Sequence, residues 1–185
     1  MLLPNGRELE YIEPEHLYLV DGIIVPSVTQ LLRPKFGGKY DGIPAATLNR
    51  AAERGTAIHK SIEDYYARGV DDGCEELRNI RWLSDRYGFD VVANEVPVVI
   101  EKDGEPVAAG RLDLVLEQDG FGLADIKTTA SLDKEYLGYQ LNLYRVGYEQ
   151  TYGIKIDFLA GIWLRGDKRR YVSIPISDRV AEEML

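Results

Sequence analysis

Ala109-Gly110-Arg111-Leu112-Asp113-Leu114-Val115-Leu116 and, beyond Glu117-Gln118-Asp119-Gly120, Leu123-Ala124-Asp125-Ile126-Lys127-Thr128 are the stretch that decides how this chain folds. An Asp-Gly pair between two apolar runs is the strongest short-range hairpin signal, so the two segments read as antiparallel neighbours. Side chains alternate across a strand, which puts Asp125 and Lys127 on one face and points Ile126 into the core. Hairpin pairing can bring Asp113 alongside them. Two acids and a lysine on one sheet face can hold a divalent cation beside a group that manages a water molecule. That is the minimum for metal-assisted phosphodiester hydrolysis. The plainer alternative is a sheet edge with a surface salt bridge.

Outward from this stretch the patterning predicts strands over 91–100, 107–116 and 121–128, with a turn at Asp103-Gly104. The period then becomes helical over 134–152. A strand over 154–164, a basic turn (Arg165-Gly166-Asp167-Lys168-Arg169-Arg170), a strand over 171–176 and a helix over 178–185 complete the chain. That last helix runs to the final residue and leaves room for further chain. Upstream, 17–20 and 23–25 flank Asp21-Gly22 as a hairpin, and Ser27 is placed to cap a short helix ending at Leu32. A Gly-rich loop over 36–42 leads to an alanine-rich helix over 44–67, whose predicted buried stripe is Leu48, Ala52, Gly55, His59, Ile62 and Tyr66. A helix over 75–87 is expected to bury Leu77, Ile80, Leu83 and Tyr87. Helix, three strands, helix, strand is the order of an α/β domain on a mixed central sheet flanked by helices. The expected organisation is one domain over 1–185, with a hairpin-and-loop extension (1–43), a core (44–176) and a C-terminal helix (177–185).

The 185 residues suffice for a substantial core, and 45% hydrophobic with 29% charged residues is ordinary for a globular protein. No apolar run approaches a membrane span, and the N-terminus lacks the pattern of a signal peptide. A cytoplasmic protein is therefore expected. One cysteine, Cys74, excludes an internal disulfide and a cysteine-ligated iron–sulfur cluster. With 22 Lys and Arg against 31 Asp and Glu, the net charge of −9 opposes long-range attraction to nucleic acid. Any DNA contact must then be local, over Arg33, Lys35 and Lys39 or over the basic 165–170 turn. Of the 12 tyrosines, Tyr65, Tyr66 and Tyr144 lie nearest the acids and could stack on unpaired bases.

Four further residues bear on the site. His59 interrupts an otherwise apolar stripe; such a histidine is usually a satisfied core residue, but beside carboxylates imidazole is a common metal ligand. Gln140 and Tyr144, four apart, share one helix face, which reads either as an exposed polar face that can border the acids or as Tyr144 packed in the core with Gln140 at the surface. Glu95 lies on the strand before that of Asp113 and reads equally as a cleft acid or a strand-end residue.

Taken in order, Gly-Thr-x-Ile-His (55–59), Gly-x-x-Asp (110–113), Asp-x-Lys-Thr (125–128) and Gln-x-x-x-Tyr (140–144) resemble the PD-(D/E)XK nuclease superfamily, in its RecB-type exonuclease branch. The stretch 18–32, with Pro26-Ser27-Val28-Thr29, is similar to phage exonucleases and to the mitochondrial genome maintenance exonuclease. The resemblance spans about residues 17–150 and implies a restriction-endonuclease-like αβββαβ core. It implies His59, Asp113, Asp125 and the Ile126 carbonyl as ligands of Mg²⁺ or Mn²⁺, with Glu95 lacking a firm counterpart. Lys127 would orient or deprotonate the attacking water and offset charge on the phosphorane, while Gln140 and Tyr144 would position the strand or buttress the site. Some relatives carry iron–sulfur cysteines, which this chain lacks. The implied activity is a DNA exonuclease acting on single-stranded ends, bacterial or phage-encoded, with a recombination or replication protein as partner. Two alternatives use the same fold: a catalytically silent member that binds nucleic acid or a partner protein, and a metal-dependent endonuclease.

Overall fold

The computed structural model of the chain describes residues 1–13, 17–38 and 44–185. Three short antiparallel strands come first: β1 (Leu9–Ile12), β2 (Leu17–Val20) and β3 (Ile23–Val25). Helices α1 (Val28–Phe36), α2 (Ala45–Arg68) and α3 (Glu75–Tyr87) follow. The remainder is β4 (Asp90–Lys102), β5 (Glu105–Glu117), β6 (Phe121–Lys127), α4 (Lys134–Tyr152), β7 (Phe158–Arg165), β8 (Lys168–Ile174) and α5 (Asp178–Met184). This is a mixed α/β architecture. β4 to β8 lie side by side in chain order as one five-stranded sheet, antiparallel throughout except for the parallel pair β6–β7. A parallel pair needs a crossover, and α4 supplies it. The crossover starts just beyond Lys127, so the carboxyl end of β6 is where the chain leaves the sheet.

Apolar side chains cover both faces. On one, Val28 and Leu32 of α1, Leu137 and Leu141 of α4 and Val180 of α5 pack against Val98, Leu112, Val115, Leu123 and Leu159. On the other, Ile58 and Ile62 of α2 and Leu77, Ile80 and Leu83 of α3 meet Leu114, Leu116, Ala124, Ile126 and Ile162. A smaller core joins Leu9, Val20 and Val25 of the three-stranded sheet to Val99 and Ala109. Among the described residues no helix is long and apolar enough to cross a membrane.

Local chemistry accounts for most element ends. Ser27 and Gln30 form a reciprocal capping box at the start of α1, and Asp133 caps α4 by accepting from the Tyr136 N–H. Asp21-Gly22 and Asp103-Gly104 adopt positive φ at both residues, as a two-residue hairpin turn requires. The third Asp-Gly pair behaves differently. β5 and β6 are joined by three residues, with Gln118 N–H donating to the Gly120 carbonyl. A Cβ at Gly120 would fall 2.5 Å from Asp157 Oδ2, so this glycine serves a close approach instead of a left-handed turn.

Other departures from the sequence reading have similar causes. β1 is an additional strand, paired with β2, so the N-terminal hairpin is one edge of a three-stranded sheet. α1 continues past Pro34 to Phe36, whose ring packs edge-on against Tyr136 and Tyr139. β7 begins at Phe158 because Asp157 is tied back to Phe121. The predicted stripe on α2 is buried only in its second half; Ala52 is exposed and Leu48 half-buried. Tyr87 is exposed at 43% and stacks on Tyr171.

Candidate metal centre

The β5–β6 register, read one step beyond the Leu114–Ala124 pair, sets Asp113 beside Asp125. Ile126 lies in the core at 3% exposure, which leaves its neighbours Asp125 and Lys127 for the opposite face. The Ile126 peptide is gripped on both sides. Its N–H donates to Asp113 Oδ2 at 2.6 Å, and its carbonyl lies 3.2 Å from His59 Nε2. With a carbonyl as acceptor the proton of that contact sits on Nε2, and Nδ1 of His59 lies 3.6 Å from Asp113 Oδ1. His59 reaches the sheet because Ile58 and Ile62 anchor α2 in the core and Asn94 Nδ2 donates to the Glu63 carbonyl one turn on.

Glu95 completes this part of the site. His59, Glu95 and Asp113 each offer a ligand atom within 4.8 Å of the others. Glu95 sits inside β4 at φ 49°, a left-handed conformation that is costly for a residue with a long side chain. Its nearest cation is Arg111, at 3.6 Å and itself half-exposed. Burial raises the Glu95 carboxyl, with Arg111 and His59 opposing. Asp113 is pushed well above the usual carboxylate range, first by burial and then by Asp125, against the pull of Lys127 and the Ile126 N–H. Burial is thus the first cause for both carboxyls, with Glu95 adding to the rise of Asp113 while His59 pulls the Glu95 carboxyl down.

The second part carries its own cation. Lys127 Nζ lies 2.7 Å from Asp125 Oδ2 and donates to Gln140 Oε1 at 2.8 Å. Burial alone would lower the ammonium; Asp125 and Asp113 outweigh it and hold Lys127 above its ordinary value. The 2.7 Å approach of the lysine to Asp125 Oδ2 is that of a charge-assisted contact to a buried oxygen. We read the pair as an ion pair whose oxygen keeps a lone pair for another partner. Gln140 and Tyr144 are both buried, at 4% and 6%; Tyr144 packs in the core, and Gln140 is neither at the surface nor on an exposed polar face. A Cβ at Gly110 would lie 2.9 Å from the Tyr144 ring, so Gly110 admits that ring against β5. Burial, then Asp125 and Asp113, push the Tyr144 phenol well up and keep it a neutral donor.

The donors fit a divalent metal: one imidazole nitrogen and carboxylate oxygens from Glu95 and Asp113 suit Mg²⁺ or Mn²⁺, while Asp125, paired with Lys127, lies outside that group of three. The Ile126 carbonyl is in the same place but already faces His59. Glu95 is the residue the sequence underrated, because nothing in Asn94-Glu95-Val96-Pro97 signals the backbone kink that turns it inward.

Of the stacking candidates, Tyr144 has no free face, and Tyr65 and Tyr66 are half-buried against the α2–α3 core, with burial pushing the Tyr66 phenol up to about 12. The arginines of the basic turn lie over neighbouring tryptophans: Arg169 is 4.0 Å from the exposed Trp82 ring of α3 and Arg170 5.4 Å from the buried Trp163 ring of β7. Trp163 pairs in register with Lys127 and donates its Nε1–H to the Thr129 carbonyl, so the turn adjoins the end of β6. On α1, Lys35 is paired with Glu183 at 2.8 Å, and Lys39 lies outside the described residues.

No protein-family model and no curated protein matches the chain. Among solved structures it is similar to one titled "Crystal structure of SSO0001", with 17% identity, 86% of this chain and 74% of that chain covered, and a TM-score of 0.47.

Proposed function

We propose that this chain is a metal-dependent DNA exonuclease of the PD-(D/E)XK superfamily, in which α2 and α3, β4–β6, α4 and β7 make up the restriction-endonuclease-like core of a single domain. The observation that carries the reading is a protonated Lys127, fixed by Asp125 and Gln140, next to the half-buried His59–Glu95–Asp113 cluster. His59 Nδ1, Asp113 and Glu95 would hold Mg²⁺ or Mn²⁺, with Asp125 beside them. The bound metal would polarise a phosphodiester oxygen and lower the pKa of a water molecule. Lys127, held as an ammonium, donates hydrogen bonds to the water or phosphate and offsets developing charge; this favours orientation over proton abstraction. Gln140 fixes the ammonium, and Tyr144 backs the acids as a neutral hydroxyl.

The test is incubation with end-labelled linear single-stranded DNA, blunt duplex and circular single-stranded DNA, with and without Mn²⁺. Linear single strands should be degraded from an end only with metal, blunt duplex more slowly, and circles not at all. Asp125→Asn should abolish cleavage. Cutting of the circle would make the enzyme an endonuclease. No cleavage of any substrate would leave a silent binding domain.

A further inference from the structure

A cleft of about 500 Å³ opens between α1 and the start of α4, lined by Leu32, Arg33 and Phe36 on one side and Thr129 and Tyr136 on the other, with Lys127 among its walls. Lys127 is the one member of the polar cluster that also borders this cleft. The cleft therefore begins where a phosphate held for hydrolysis would end. Its walls have two kinds of chemistry. Phe36 and Tyr136 meet edge to face with ring centroids 5.4 Å apart, and Leu32 adds an aliphatic surface. Arg33 supplies positive charge; among the described residues it has no ion-pair partner, whereas Lys35, two residues on, is neutralised by Glu183. Beside the cleft, Phe36 also packs edge-on against Tyr139, 5.3 Å between centroids. Asp133 also lines the cleft and Lys127 is shared with Asp125, so Arg33 is the cation available to a phosphate, and the aromatic wall suits a flat heterocycle. The volume falls in the range of single small-ligand pockets and leaves no room for a stacked duplex.

We propose that this cleft binds one nucleotide of the substrate strand, its base against Phe36 and Tyr136 and its phosphate drawn to Arg33. The placement next to the scissile bond rests on the nuclease reading; the binding of a nucleotide does not.

The experiment is calorimetric titration of the full chain, in EDTA, with deoxyadenosine monophosphate, deoxyadenosine and inorganic phosphate. The monophosphate should bind, and each fragment should bind at least tenfold more weakly. Phe36→Leu, which keeps apolar bulk without the ring, should weaken the monophosphate by about tenfold, as expected for loss of one base stack. Arg33→Glu should weaken it as much, and Phe36→Tyr should retain binding. Melting curves of each variant check the fold. Equal binding by the wild type, Phe36→Leu and Arg33→Glu would overturn the proposal, as would DNA cleavage by a protein that does not bind the monophosphate. Binding lost in both variants supports it, even if the intact chain cuts no DNA; that result would sink the hydrolase reading alone.

Discussion

The two halves of the polar cluster differ in how their charge is met. Asp125 has an internal partner: Lys127 lies 2.7 Å away, and Gln140 steadies the ammonium from α4. His59, Glu95 and Asp113 are met by each other, the Ile126 peptide and the half-exposed Arg111, with Lys127 acting on Asp113 from across the strand pair. One half folds complete. The other is assembled at a cost, with a strained Glu95 backbone and two raised carboxyls, and such strain persists only where the surroundings over-determine it. The contrast separates a part that acts from a part that holds.

The sharpest way to break this division is Lys127→Ala. It removes the reacting cation and leaves Asp125 buried without one, so cleavage should fall by about a hundredfold or more, and the metal-free protein should lose about 3–5 kcal/mol of stability. Because the holding half is untouched, Mn²⁺ should still raise the melting temperature of this variant. Cleavage at the original rate would remove Lys127 from the chemistry.

Metal addition tests the other half. Saturating Mn²⁺, at a hundredfold excess over its dissociation constant, should stabilise the intact chain by about 2.7 kcal/mol. Asp113→Asn and His59→Ala should each lose most of that gain in thermal melts. Glu95→Gln decides whether the kinked strand contributes a ligand: a full metal response in this variant would exclude it.

A pH series sharpens the same contrast by a smaller amount. In the folded, metal-free chain Asp113 is raised above the ordinary carboxyl value of about 4, surrounded by Asp125, Glu95, His59 and Lys127. Between those two values the folded chain holds a proton that the unfolded chain has released, so this group's contribution to stability falls as pH rises through the window. Subtracting the melting curve of Asp113→Asn from that of the intact chain in EDTA isolates the effect. A difference that grows more stabilising with pH would contradict the burial of this carboxyl.

The smallest effect concerns DNA affinity at the β7–β8 turn. Arg169→Glu with Arg170→Glu should weaken single-strand binding several-fold and reduce the salt slope by roughly 0.7–0.9 for each phosphate left without its cation. Unchanged affinity and slope would move the footprint to Arg33 and the α1–α4 cleft.

Periodic and turn signals made much of this architecture legible. The predicted limits of α3 and α4 agree with the structure, because each has a capping side chain before it and a left-handed glycine after it, Cys74 with Gly88 and Asp133 with Gly153. Asp113, Asp125 and Lys127 could be placed together because a two-residue period and a hairpin fix which side chains share a face. Glu95 was harder, since its orientation depends on one positive φ in mid-strand that residue type does not announce. Gln140 contacts Lys127 from inside the packing, and spacing along a helix says which residues share a face but not which face is buried. The cleft depends on α1 passing Pro34 to deliver Phe36, where tertiary packing overrode a local breaker.

The double grip on the Ile126 peptide makes that amide a spectroscopic sensor. Its proton is bound to a side-chain carboxylate, Asp113 Oδ2, instead of a carbonyl, so its electron shielding follows the occupancy of that oxygen. A cation that draws charge from Asp113 weakens the acceptor at Oδ2, and the same peptide plane carries the carbonyl that faces His59. The amide resonance of a single isoleucine therefore titrates the site from within, without a label at the metal and without a substrate.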